Sequence, residues 1–307
     1  MIKKILILLL VTVLHVSCQS GRDPGTEHAP GTVPGTGITD QTLTDESIAL
    51  PDEIIGEIIY SFASMVEIPA LIKDLGVPYS NGFLLSSDDI SHYINNFERA
   101  FLLGVMGADL GYMNMYNRTN VLPVYLSALR KLADSLFIGH LFDFDEIERL
   151  AGSGYEPDAL IYNYMQSYNR TDEYLRQERR THLSTAIVSG VWVEGLYLLT
   201  RAAEAQPGED IFERIGEQKI ILNDLIIILR NHERYYPEFT PLIEKLATLK
   251  EEFDKVEIVY EVDEPQAIER DGMLVIIQNQ RSTINIAEEQ IRNITLKTET
   301  IRDNLIF

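Results

Sequence analysis

Two stretches of the chain are apolar on nearly every side of a helix, and each holds a single acid. Between Arg99 and Arg118 the only charged residue is Asp109; between Arg180 and Arg201, His182 aside, it is Glu194. A helix that is hydrophobic all round is buried on more than one face. Any fold this chain adopts therefore has to put these two segments at its centre. Their local sequences are alike. Gly107-Ala108-Asp109-Leu110-Gly111-Tyr112 and Val193-Glu194-Gly195-Leu196-Tyr197 each set a tyrosine three residues after the acid, on the same helix face. Gly104, Gly107, Ala108 and Gly111 form a side-chain-poor stripe, matched by the shorter Gly190 and Gly195. Each glycine costs a helix about 1 kcal/mol against alanine, a cost that close approach of a neighbouring backbone would offset. The likeness reads as a weak internal duplication of a helical hairpin.

The remaining pattern is mostly helical. Asp52 to Gly76 carries apolar residues on helical spacing, broken near Pro69 and closed by Gly76 and Pro78. Ser86 and Asp89 stand at capping-box spacing and predict the start of a long helix. Leu122, Leu126, Leu129, Ala133 and Leu136 make one apolar face, with Arg130, Lys131 and Asp134 off it. Further helices are expected at about 143–151, 157–168, 172–205 and 209–231. Thr240-Pro241 reads as an N-cap and first-turn proline, within a helix striped by Phe239, Leu242, Leu246, Leu249 and Phe253. The period then changes to two: Val256, Ile258, Tyr260 and Val262 predict a strand, with Met273 to Ile277 as its partner across a loop containing Asp271-Gly272. A last helix begins near Asn285, with Glu288 at the capping-box position, and runs Ile291, Ile294, Thr298, Ile301, Leu305. The expected fold is mostly α, an antiparallel helical-hairpin bundle or short superhelix with one small β-hairpin at about 256–278.

Two readings of the solitary acids stand side by side. In one, Asp109 and Glu194 are ligand or metal contacts or a proton-handling pair, with Tyr112 and Tyr197 beside them. In the other they are structural acids, hydrogen-bonded to those tyrosines, a backbone amide or an arginine. Both require partners, because an unpaired buried charge costs several kcal/mol. Other chemistry is sparse. Asp89 and His92 share a helix face and His182 precedes the Glu194 helix, but no Glu-x-x-His pair recurs on two helices as a di-iron bundle requires. No His-Glu-x-x-His, P-loop, Gly-x-Ser-x-Gly or dinucleotide fingerprint is present, so no metal or cofactor is expected. Tyr155, Tyr162, Tyr164, Tyr168 and Tyr174 crowd into twenty residues, as seam-filling rings or as the lining of a groove for a sugar or peptide. Tyr116-Asn117-Arg118-Thr119 recurs as Tyr168-Asn169-Arg170-Thr171, read as two similar helix ends.

Through the stretches Gly107 to Tyr112 and Trp192 to Tyr197, the chain resembles a group of uncharacterised, lipidated helical proteins of Bacteroidota. The resemblance covers roughly residues 51–307. It implies an envelope lipoprotein with an α-helical domain and supplies no activity.

The N-terminus agrees with that expectation. Lys3 and Lys4, the apolar run Ile5 to Leu14, and Val16-Ser17 before Cys18 form a lipoprotein export signal over 1–17, with His15 where a branched aliphatic residue is the stronger match. The apolar run is too short to span a bilayer. Cys18 is the only cysteine, which excludes internal disulfides and thiol-ligated zinc and leaves one thiol for lipid transfer. Residues 18–50 read as a lipidated tether, with Pro-Gly-Thr at 24, 30 and 34 and too few apolar residues to bury a core. The formal charge is −21, and −23 once Lys3 and Lys4 are removed, which disfavours nucleic acid and anionic headgroups as partners. Taken together, the sequence predicts an outer-membrane lipoprotein, facing the periplasm or the surface, that displays a helical binding or scaffold domain for a peptide, glycan or protein partner. The alternative is an envelope hydrolase or metal-binding protein using Asp109 and Glu194.

Overall fold

A computed structural model describes residues 55, 67–85, 95–118, 122–152, 157–262, 266–270, 273–277 and 280–306. The signal, Cys18, the tether, the Ser86–Asp89 capping box, Asp89, His92, Tyr155 and the Tyr164 side chain lie outside them. Among the described residues the fold is mostly α, with nine helices: α1 Ile68–Asp74, α2 Asn96–Met115, α3 Leu122–Ser135, α4 Phe144–Gly152, α5 Pro157–Gln177, α6 Thr181–Ala205, α7 Glu209–Glu233, α8 Thr240–Phe253 and α9 Glu288–Ile306. The described residues divide into two units, one of those within 49–259 with 284–306 and one of those within 260–283.

The helical unit is built around α2 and α6, the two apolar helices. Their faces meet through glycine. A Cβ on Gly104 would overlap the Ile187 carbonyl, with the carbonyl carbon and the Val191 nitrogen both at 2.9 Å; a Cβ on Gly190 would overlap the Phe101 carbonyl in the same way. Backbone therefore packs on backbone, reciprocally, and neither position has room for a side chain. Gly104 lies beside 187–191, while Asp109, five residues on, meets Glu194. The two central helices thus run in the same direction. Around them, α3 packs on α2, α7 and α9 pack on α6, and α8 packs against both α7 and α9. The stripes on α3 and α8 are buried throughout, as are Ile291, Ile294, Thr298 and Ile301 of α9. The α6 helix is long and apolar enough to cross a membrane, but 94% of that window is buried inside the protein, which makes it a core helix.

Helix ends explain where the observed boundaries depart from the expected ones. The helix carrying Asp109 starts at a capping box of Asn95 and Glu98: the Glu98 amide donates to Asn95 Oδ1 at 2.8 Å, and the Asn95 amide to Glu98 Oε2 at 3.3 Å. Asn95 is extended (φ −101°, ψ 165°), so no helix runs through it from Ser86. Three helices close with a non-glycine residue at positive φ: Asn117 (53°), Phe137 (61°) and Arg179 (56°). Each is followed by an amide returning to a carbonyl five residues earlier: Arg118 to Met113, Ile138 to Ala133 and Arg180 to Leu175. This is the C-terminal closure glycine ordinarily supplies. Tyr116-Asn117-Arg118 does end a helix, whereas Tyr168-Asn169-Arg170 lies inside α5, which continues to Gln177. Thr240 is a helical residue of α8 (φ −53°, ψ −48°) because the 3-10 turn Pro237–Phe239 leads straight into it.

The strands pair differently from expectation. Four are present: β1 Glu257–Val262, β2 Gln266–Arg270, β3 Met273–Ile277 and β4 Gln280–Asn285. Met273–Ile277 pairs antiparallel with β2, from Gln266↔Ile277 to Arg270↔Met273, while β1 pairs with β4. Arg270 and Met273 are direct partners, so only Asp271-Gly272 connects them. A two-residue Asp-Gly link selects the immediately flanking segments as a hairpin. That local preference displaces the longer-range pairing of 256–262 with 273–277.

Candidate functional site

Asp109 and Glu194 meet beside the α2–α6 crossing, and both are fully buried. Each has distinct partners. The Glu194 carboxylate takes a two-pronged ion pair from Arg302 of α9, Nε to Oε2 and Nη2 to Oε1, both at 2.9 Å. Paired charge-assisted hydrogen bonds in a fixed fork are the strongest arrangement open to a buried carboxylate. The same guanidinium lies over the Tyr197 ring, 4.2 Å from its centroid, and Nη2 donates to the Phe83 carbonyl at 3.4 Å. Among the described residues Asp109 has no cation of its own. Its Oδ2 accepts from the Leu85 amide at 2.9 Å and lies 3.3 Å from the Tyr125 hydroxyl, which also donates to the Leu85 carbonyl.

Among the described residues Oδ1 of Asp109 has no hydrogen-bond partner, and the Asp109 carboxyl faces Glu194. Two carboxylates facing each other in a buried site do not both hold a charge. Asp109 is the one that takes a proton, because Glu194 has the guanidinium against it and Asp109 does not. Burial, then the facing Glu194, pushes Asp109 well above the usual carboxylate range. Burial pushes Glu194 upward too, and Arg302 opposes it. Burial, then Asp109, raises Tyr125, so its hydroxyl stays a proton donor. Two acids, one cation and one proton give a neutral cluster, which removes most of the cost of burying it.

Tyr112 and Tyr197 do not hydrogen-bond their acids in the way the three-residue spacing suggested. The Tyr112 hydroxyl accepts the Ser80 amide at 3.1 Å. Its ring belongs to a cluster with Tyr79, Phe83 and Tyr116, and Arg118 covers the Tyr79 face at 4.5 Å. Tyr197 supports Arg302 instead, and Arg201 sits at 5.3 Å from the same ring. The residues that sequence reasoning missed are Arg302, Tyr125 and the Leu85 amide. Arg302 lies four residues after Thr298 and eight after Ile294, on the buried stripe of its helix; a charged residue on such a face was the available signal. Tyr125 sits likewise between Leu122 and Leu129. The Leu85 amide leaves no trace in a sequence.

The described tyrosines of the 155–174 segment, Tyr162, Tyr168 and Tyr174, have three different surroundings. Tyr162 is 65% exposed, Tyr168 lines the interior, and Tyr174 meets His140 edge-on. His182 stacks on Tyr236 with ring centroids 3.8 Å apart, and burial, then His232 and Arg180, lowers it to about 4, leaving a neutral ring at pH 7. His232 hydrogen-bonds Thr185 at 3.0 Å. No three His, Cys, Asp or Glu side chains among the described residues come together to hold a metal ion. An apolar pocket of ≈ 20 Å³ between α2, α3, α4, α5 and α6 is lined by residues including Leu103, Leu129, Phe144 and Ile187. It has space for little more than a water molecule and too few polar groups to hold one. No protein-family model, curated protein or solved structure matches the chain.

Proposed function

We propose that the chain is an outer-membrane lipoprotein, lipidated at Cys18, whose helical domain is displayed on a tether as a binding or scaffold module for an envelope partner. The observation that carries the non-catalytic reading is the state of the two acids. Asp109 and Glu194 are without solvent exposure, with both Glu194 oxygens held by Arg302 and Asp109 Oδ2 held by the Leu85 amide. A hydrolase or metal protein needs at least one such group facing a space where substrate or ion can sit. Here the same groups join α2, α6 and α9 into one body. The export pattern of Lys3 to Cys18, the Pro-Gly-Thr spacer and the resemblance to lipidated helical proteins support the location. A single acyl chain, at about 0.8 kcal/mol per buried methylene, binds only reversibly, so firm attachment calls for a multiply acylated Cys18.

Metabolic labelling with palmitate in a bacterial host tests the location. Wild-type chain should take up label and fractionate with the outer membrane, and Cys18→Ala should do neither. Equal labelling of both would end the lipoprotein reading.

A further inference from the structure

We propose that Asp109, Glu194 and Arg302 form a one-proton latch on α9: with a proton on the buried Asp109 the C-terminal half of α9 stays docked, and its loss lets that half leave while the α2–α6 crossing remains intact. The proposal concerns conformation and stands whether or not the chain is a lipoprotein.

The geometry sets up the latch. Asp109 receives one backbone amide, shares Tyr125 with the Leu85 carbonyl, and faces an acid whose only cation is fully engaged. Stripped of its proton, Asp109 presents a second anion to Glu194 inside an otherwise apolar core, and two adjacent carboxylates cannot both stay charged without water or a new cation. Among the described residues the groups around it are Tyr112 of α2, Tyr125 of α3, Glu194 and Tyr197 of α6, Arg302 and Asp303 of α9, and Tyr79 with Arg118 over it. Of the described cations, Arg302 is the one hydrogen-bonded to an acid of the pair.

Of the three helices that meet there, α9 is the one free to yield. The α2–α6 contact is backbone against backbone at Gly104 and Gly190, where interlocked chains leave no small movement that separates them. The far half of α9 is held by Thr298 and Ile301, by Arg302 and by the partly exposed Arg201–Glu299 pair at 3.3 Å. The near half has its own anchors in Gln290 to the Lys255 carbonyl at 2.7 Å and Lys297 to Glu252 at 3.1 Å. Opening should therefore run from the Arg302 end toward Lys297.

Hydrogen exchange followed by mass spectrometry on the full chain, from pH 5 to 8 and normalised for intrinsic exchange, reads this out. An opening that gives up the Asp109 proton becomes about tenfold more populated for each pH unit while Asp109 stays protonated in the closed form. Amides of 298–304 should lose protection at that rate and stay less protected than those of α2 at every pH. Asp109→Asn, which keeps a hydrogen for Glu194 at all pH values, should flatten the profile; so should Glu194→Gln, which removes the facing anion, if the first variant does not fold. A flat wild-type profile, protection in α9 equal to that in α2, or an unchanged slope in a folded variant would overturn the latch.

Discussion

At the scale of residues, the two central acids resemble each other in sequence and differ in state. Glu194 is held by a guanidinium that favours its charged form, whereas burial and the facing Glu194 push Asp109, bonded to the Leu85 amide, toward its protonated form. The difference follows from one residue, Arg302, reaching only one of them. Asp109→Ala leaves the Leu85 amide without its acceptor and should cost about 1–3 kcal/mol in urea unfolding. Asp109→Asn preserves the shape, the acceptor and a hydrogen toward Glu194, and should cost less. The sign of the pH dependence is fixed by the raised position of Asp109: its proton is bound in the folded chain and lost in the unfolded one at neutral pH. Its contribution is complete below the ordinary aspartate range and declines as pH rises through its folded value, by about 1.4 kcal/mol per pH unit across the interval. Wild-type stability should therefore fall by one proton's slope more than that of Asp109→Asn between pH 5 and 8. Parallel pH profiles would mean that Asp109 is ionised.

At the scale of elements, the contact between α2 and α6 depends on two glycines. Gly104→Ala or Gly190→Ala drives a methyl into a backbone carbonyl that has nowhere to move, and each should cost about 1–3 kcal/mol or more by thermal melting. Gly208→Ala, with nothing within 4 Å of the new methyl and an extended backbone, should stay within about 0.5 kcal/mol. Equal effects at all three positions would contradict the close crossing. The centrality of these helices was legible, because a run with one charge in about twenty residues has no face to give to water. The stripes of α3, α8 and α9 were legible from period alone. Helix ends were less so: Asn117, Phe137 and Arg179 close helices in a conformation whose usual signal is glycine, so α5 was cut short and joined wrongly to α6. Strand pairing was misread because alternation identifies strands without naming partners, and the two-residue Asp-Gly link decides them.

At the scale of the whole molecule, the candidate site is where distant parts of the chain converge, and that convergence is what the sequence concealed. Asp109 and Glu194 announce themselves as buried acids, but their partners lie 24 residues upstream of one and 108 residues downstream of the other. Spacing of three pointed to Tyr112 and Tyr197 instead, because a sequence exposes neighbours on one helix and hides neighbours on the next. The central claim is that Glu194 and Arg302 are energetically one unit, a structural tie between α6 and α9. A double-mutant cycle in urea unfolding tests it most directly, with Glu194→Gln, Arg302→Met and the two combined at pH 7. Breaking a buried pair by removing one partner costs about 3–5 kcal/mol, and removing both is far milder. The expected result is therefore a coupling energy of at least about 2 kcal/mol, with the double variant more stable than the sum of the single effects allows. Additive single effects, each below about 0.5 kcal/mol, would show that neither residue is sealed against the other.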